Sequence, residues 1–265
     1  MTILTAASAL LVGCGSVQTT SVQSYDMAYR LGQSNSAASS LPDAPTPDLE
    51  PTIRQAAADA EANYKYGDAA AHYAALLQKH PEEQDLILGL ARNLRFSGAP
   101  QQAAQMLNVH LAKSGLQPKL LIELGKDYIA ADQTNLAVTA LGQAQSLAPD
   151  AWDVYSALGV ALDYQSNYQQ AQDAYRSGLK LAPNNIDLLN NYALSLAQSG
   201  KLDAAIAILQ SAVNQPSVSA QPRQNLALLL ALKGDHDGAA RLIRTDLPDD
   251  MATNNIRYYQ GLTVQ

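Results

Sequence analysis

Apolar and polar positions follow a helical spacing from residue 50 onward, and that pattern itself recurs in consecutive windows of equal length through residue 253. The windows are 50–83, 84–117, 118–151, 152–185, 186–219 and 220–253. In windows two to six, position 7 is Leu90, Leu124, Leu158, Tyr192 and Leu226, and position 11 is Leu94, Tyr128, Leu162, Leu196 and Leu230. A spacing of four puts both positions on one face, so each window opens with an amphipathic helix A. A second helix, B, carries a small residue at position 20: Ala69, Ala103, Ala137, Ala171, Ala205 and Ala239. Position 8 of helix A is also small: Ala57, Ala91, Gly125, Gly159, Ala193 and Ala227. Position 24 of helix B is bulky: Tyr73, Leu107, Leu141, Tyr175, Leu209 and Ile243. Small positions filled by bulky neighbours predict two helices in close approach. Gly98, Gly200 and Gly234 mark turns between the helices, and Pro81, Pro149 and Pro183, at position 32, lack the N–H that would continue helix B.

The first window fits worst. Ala56 and Ala60 stand at positions 7 and 11, and Gly67 comes three residues late. An end repeat has one neighbour only, so weaker patterning is expected there. Beyond Pro248, residues 254–265 are read as a capping helix and tail, with Ile256, Tyr259 and Leu262 on one face.

A 34-residue period with small residues at positions 8 and 20 resembles the tetratricopeptide repeat (TPR). The resemblance implies an all-α solenoid of about six helical hairpins in a right-handed superhelix. In that family helix A lines a concave groove, faced by positions 2, 5, 6, 9, 12 and 13. The groove candidates here are Arg92, Arg95, Lys119 and Lys126 in repeats two and three, Asn190, Asn191 and Leu194 in repeat five, and Gln224, Asn225 and Leu228 in repeat six. A basic end suits a carboxylate or acidic segment. Side-chain amides can pair with the backbone of an extended peptide. Ordinary solvated surface is the competing reading of the same residues. Members that clamp a C-terminal carboxylate need Lys at position 5. That position holds Leu88, Ile122, Ser156, Asn190 and Gln224 in repeats two to six, so no such clamp is expected.

The chain opens MTILTAASALLVGC, an apolar run ending in Leu11-Val12-Gly13-Cys14. This is similar to the bacterial lipobox. The resemblance implies a signal peptide over 1–13, lipidation of Cys14, and, with Gly15 rather than Asp following, an outer-membrane anchor on the periplasmic face. The apolar run is too short to span a bilayer. No Lys or Arg precedes Cys14, a departure from the signal-peptide pattern that would place the basic stretch upstream of Met1. Residues 14–50 are rich in Ser, Thr, Gln and Pro and lack apolar periodicity, which predicts a disordered tether. A coil of that length averages roughly 30–35 Å end to end. A single helical turn over Tyr25 to Leu31 is the one local element expected in it.

Composition narrows the chemistry. The 265 residues are 47% hydrophobic and 15% charged, with one Phe and one Trp, which suits close-packed helices better than a sheet. A net charge of −7 without any basic run argues against nucleic acid as a partner. Cys14 is the only cysteine, so no intrachain disulfide is possible. His72, His80, His110 and His236 show no metal-ligand spacing, and His110, at position 27, reads as packed. No phosphate-binding glycine loop or nucleophile elbow occurs. No catalytic residue, cofactor, metal or small-molecule substrate is therefore expected, and binding to other proteins is.

The blocks LLNNYALSLAQSGKLDAAIAIL, RQNLALLLALKGDHDGAARLIRTDLPDD and NNIRYYQGL, within residues 186–262, resemble the TPR lipoprotein of tight-adherence (Tad, Flp-type) pilus systems. That resemblance implies an outer-membrane accessory, a scaffold or pilotin, which helps assemble a secretin or other pilus components. A lipidated periplasmic TPR adaptor for polysaccharide export or envelope biogenesis remains open on the same residues.

Overall fold

The computed structural model describes residues 48–215 and 219–262. The signal peptide, Cys14, the turn at Tyr25–Leu31 and the expected tether up to residue 47 lie outside the described residues.

Thirteen α-helices and no strand occur among the described residues. In chain order they are α1 (Glu50–Ala62), α2 (Tyr66–Lys79), α3 (Gln84–Phe96), α4 (Pro100–Ser114), α5 (Pro118–Ala130), α6 (Thr134–Leu147), α7 (Trp152–Tyr164), α8 (Tyr168–Leu181), α9 (Ile186–Gln198), α10 (Leu202–Val213), α11 (Ala220–Lys233), α12 (His236–Asp246) and α13 (Asp249–Leu262). The odd helices α1 to α11 are the A helices, and each begins on the first residue of its sequence window.

Close approach explains the small positions. Position 20 is buried in every repeat, from Ala69 to Ala239, and so is position 8, including Gly125 and Gly159. A Cβ added at Gly125 would overlap Leu141, and one at Gly159 would overlap the ring of Tyr175. Position 24 of helix B thus sits directly on position 8 of its own helix A. Repeat one differs: the ring of Tyr73 fills the space a Cβ would need at Gly89, in the next repeat. Tyr73 therefore joins two repeats as well as two helices.

The turn between helix A and helix B needs a left-handed backbone at position 15. Gly98, Gly200 and Gly234 supply it with φ of 89°, 85° and 92°. Tyr64, Asp132 and Ser166 adopt the same turn with φ of 57°, 59° and 59°. Sequence reading finds the glycines and misses the other three, because only a comparison in register shows that the conformation belongs to the position. Helix B ends at Lys79, Leu147 and Leu181, two residues before Pro81, Pro149 and Pro183, since the residue ahead of proline is pushed out of helical geometry. In repeat two Gly115 stands at position 32 instead and ends α4 with φ of 83°.

Helix B of each repeat packs on helix A of the next, and consecutive A helices also touch each other through to α13, less extensively between α1 and α3 than farther along. Among the described residues consecutive B helices make no comparable contact. The array therefore bends with the A helices on its inner side. At the C-terminus α13 buries Ala252 and lays Ile256 and Tyr259 on the core of repeats five and six. It starts at Asp249, ahead of the expected residue 254. The carbonyl of Pro248 accepts the N–H of Ala252, and Asp249 and Asp250 favour the positive end of the helix.

Two substitutions test this packing. Gly159→Ala should destabilise by about 1–3 kcal/mol, because the Tyr175 ring must move. Ser166→Gly should stabilise by roughly 0.5–1 kcal/mol by relieving a left-handed non-glycine residue. Urea unfolding followed by circular dichroism measures both; opposite signs at these sites would contradict the packing described.

Candidate functional site

Helix A presents its inner side through positions 2, 5, 6, 9 and 12, and polar residues there do two different jobs. One set laces neighbouring repeats together. Position 12 of one repeat reaches position 10 of the next at three junctions. Asn93 Nδ2 donates to Glu61 at 2.5 Å, Arg95 to Asp127 at 2.6 Å, and Ser195 Oγ to Asp163 at 2.6 Å. The partners in each pair are thus offset two short of the repeat period. Tyrosine at position 24 joins the lacing where it occurs: Tyr175 donates to Asp163 at 2.8 Å and Tyr73 to Glu61 at 3.3 Å. At the remaining A–A junctions the same positions are apolar, Ile129 against Ala161 and Ala197 against Leu229.

This lacing corrects the reading of Arg95. Its side chain is only 12% exposed, and its guanidinium lies 2.6 Å from both Asp127 and Glu123. The Asp127 contact is a hydrogen bond, whereas Glu123 Oε1 is an ion contact off the hydrogen-bond direction. Arg95 is spent inside the protein because it is the counter-charge of buried Asp127 and shares buried Glu123 with Lys126. Asn190 and Asn225 are corrected likewise. Both are buried, and Asn225 donates to Asn190 at 2.8 Å. Asn190 also donates to Asn191, and Asn191 to Ser156, each at 3.4 Å. These amides tie α7, α9 and α11 together, so little of their bonding capacity is left for a peptide backbone.

The second set is available. Arg92, Lys119 and Gln224 are exposed, while Lys126, Asn191, Leu194 and Leu228 are partly exposed. Arg92 and Lys119 make no ion pair among the described residues. Lys126 lies 3.5 Å from Glu123 and keeps 42% of its side chain in solvent. The surface cations and the half-exposed leucines occupy different ends of the inner face. His110, the packed histidine of position 27, lies 3.8 Å from Glu82 with 13% of its side chain exposed.

Burial perturbs two of the lacing acids. Asp127 is pushed up to about 7, since desolvation outweighs the pull of Arg95. Asp163 is pushed up to about 6, again by desolvation, against the hydrogen bonds from Ser195 and Tyr175. Asp127 Oδ2 and Asn93 Oδ1 are buried acceptors without a donor. No group of three or more potential metal ligands among His, Cys, Asp and Glu occurs among the described residues.

Taken together, the helical pairs, the repeat register and the inner A-helix face define a TPR solenoid. Tetratricopeptide-repeat family models match residues 60–121 and 157–222. A TPR protein of Thermus thermophilus matches in structure with a TM-score of 0.57 at 20% identity, over 68% of this chain and 98% of that one. The pilF protein of Pseudomonas aeruginosa matches with a TM-score of 0.56 at 18% identity, over 75% and 90%. MamA of Desulfovibrio magneticus matches with a TM-score of 0.50 at 17% identity, over 69% and 98%. At these identities the likeness is one of fold. No curated protein sequence matches the chain.

The titration of Asp127 sets a pH dependence. Its carboxyl is held above the ordinary carboxylate range in the folded state, so the native chain binds the extra proton. The stability it contributes is complete below about pH 4 and is lost as pH rises through about 7. Asp163 adds in the same direction, with loss centred near 6. The melting temperature should therefore fall between pH 5 and pH 8. Asp127→Asn, which keeps an acceptor for Arg95, should flatten that fall; an unchanged slope would show that Asp127 does not carry it.

Proposed function

We propose that this chain is an outer-membrane lipoprotein whose TPR solenoid serves as a scaffold or pilotin-like factor in assembling a Tad/Flp-type pilus or its secretin. The observation that carries the binding role is the unused part of the inner face: Arg92 and Lys119, exposed and without an ion pair among the described residues, and Leu194 and Leu228, partly exposed. TPR arrays in general are non-enzymatic scaffolds that bind protein partners. The finer assignment is supported by the resemblance of the blocks within residues 186–262 to Tad lipoproteins and by the lipobox at Leu11–Cys14. A membrane-held binder raises the local concentration of its client, so modest affinity at the inner face suffices.

Three measurements test the proposal. Cys14→Ser should abolish fatty-acid labelling and leave an unprocessed precursor; persistent labelling would reject the anchor. Deletion of the gene should lower assembled secretin and surface pili together, and normal piliation would reject the pilus role. Arg92→Glu with Lys119→Glu should lower secretin co-purification with little loss of stability, because both side chains are exposed. Lys126 is kept in that variant since it lies beside the buried Glu123.

A further inference from the structure

Position 9 of the A helices forms one line along the inner face: Ala58, Arg92, Lys126, Val160, Leu194 and Leu228. No member of it is buried. The line is cationic in repeats two and three and aliphatic in repeats four to six. Leu194 and Leu228 stand outside the packed core of repeats five and six, so the fold does not use their exposed surface. The amides around them are occupied with one another, which leaves position 9 as the accessible apolar strip, with Leu194 and Leu228 its open part and Val160 partly packed on the core around Tyr175.

Spacing selects what fits. Helices in contact lie about 8–10 Å apart between axes. A polyproline-II-like chain advances about 3.1 Å per residue with three residues per turn, so every third side chain returns to the same side after about 9 Å. Such a chain stays in step with successive A helices. A β-strand returns every second residue, after about 6.6 Å, and falls out of step at once. An α-helix returns every seventh residue, after about 10.5 Å, but would need about 29 residues of straight rod against a curved face to reach five repeats.

Building on the reading of the inner face as the client site, we infer that it holds one extended segment of a partner protein in a three-residue register. Two acidic side chains of that segment, three residues apart, meet Arg92 and Lys126. Three aliphatic side chains follow at the same spacing and meet Val160, Leu194 and Leu228. Charge sets which end of the segment lies where: position 9 is cationic in repeats two and three alone. Position 2, which is Asp85 and Lys119 there, is Asp153 and Asp187 in repeats four and five, where no position-9 cation offsets their repulsion of an acidic segment.

Fluorescence anisotropy with synthetic peptides tests the register on the folded solenoid. At three residues per turn, a probe meeting five successive helices is about 13 residues long. It carries glutamate at its first and fourth positions, leucine at its seventh, tenth and thirteenth, and Ser, Pro and Gly elsewhere. It is made in both chain directions, since the line of position 9 does not fix which end comes first. A composition-matched scramble and a helical peptide with the same side chains every seventh residue are the comparators. The expected result is that one direction of the three-residue probe binds at least about tenfold tighter than both comparators. Leu194→Glu with Leu228→Glu should remove that advantage, and added salt should weaken the binding through the glutamates. Equal binding of probe and scramble, or tighter binding of the helical peptide, overturns the register. If the comparators bind and the double variant abolishes their binding, the inner face remains the client site and only the register falls. Binding indifferent to the double variant overturns both readings.

Discussion

A bulky position-24 side chain resting on a position 8 with no bulk of its own brings helix B down onto helix A. Two helices of this length have too little surface between them to hide their apolar stripes, so a lone hairpin is marginal. Close seating lets helix B turn its other side to the next helix A, and burial then continues through the stack. The largest fully buried side chains include Tyr175, Leu107, Leu141 and Leu209, all at position 24. Glycine at positions 125 and 159 is the extreme of the same requirement. Where the seat is made elsewhere, as with Tyr73 on Gly89, the bulky residue ties two repeats together.

Stacking alone leaves register open, since one alanine-lined surface resembles another. The polar pairs that join position 12 to position 10 of the next repeat make the junctions unlike. A hairpin slipped along the stack would set Arg95 or Asp163 against an apolar neighbour and leave a buried charge without its partner, which is costly. The acids at these junctions give up solvation for that role, and the raised positions of Asp127 and Asp163 record the cost. The same groups that fix the order of repeats therefore make the array sensitive to pH.

The repeat length, the helix pairs and the buried small positions are legible in the sequence because each recurs in every window. What recurs in some windows only is not. Tyr64, Asp132 and Ser166 share one backbone conformation but no chemical likeness, so nothing in their identity marks the turn. Arg95 falls on a position that faces the groove in the TPR family, and by that rule alone it reads as a groove cation. Its acids, Glu123 and Asp127, lie in the following repeat, and only their burial shows that its charge is consumed. The pairing of Glu61 with Asn93, Arg95 with Asp127 and Asp163 with Ser195 is present in the sequence as a polar complementarity slightly short of the period. That offset is the available signal.

The division of labour on helix A bears directly on recognition. A polar side chain already bonded within the array can serve a partner only by giving up that bond, so its contribution to affinity is a small difference between two similar energies. Asn190, Asn225 and Arg95 are in that position. Arg92 and Lys119 give up solvent alone, and Leu194 and Leu228 gain by leaving it. Affinity should therefore come from the aliphatic end, while charge at the other end governs encounter and orientation. A mutational survey that treats every polar inner-face residue alike would mix two effects. Changing Asn225 or Arg95 lowers binding by loosening the junction between repeats. Changing Arg92 leaves the junctions intact and acts on the partner directly.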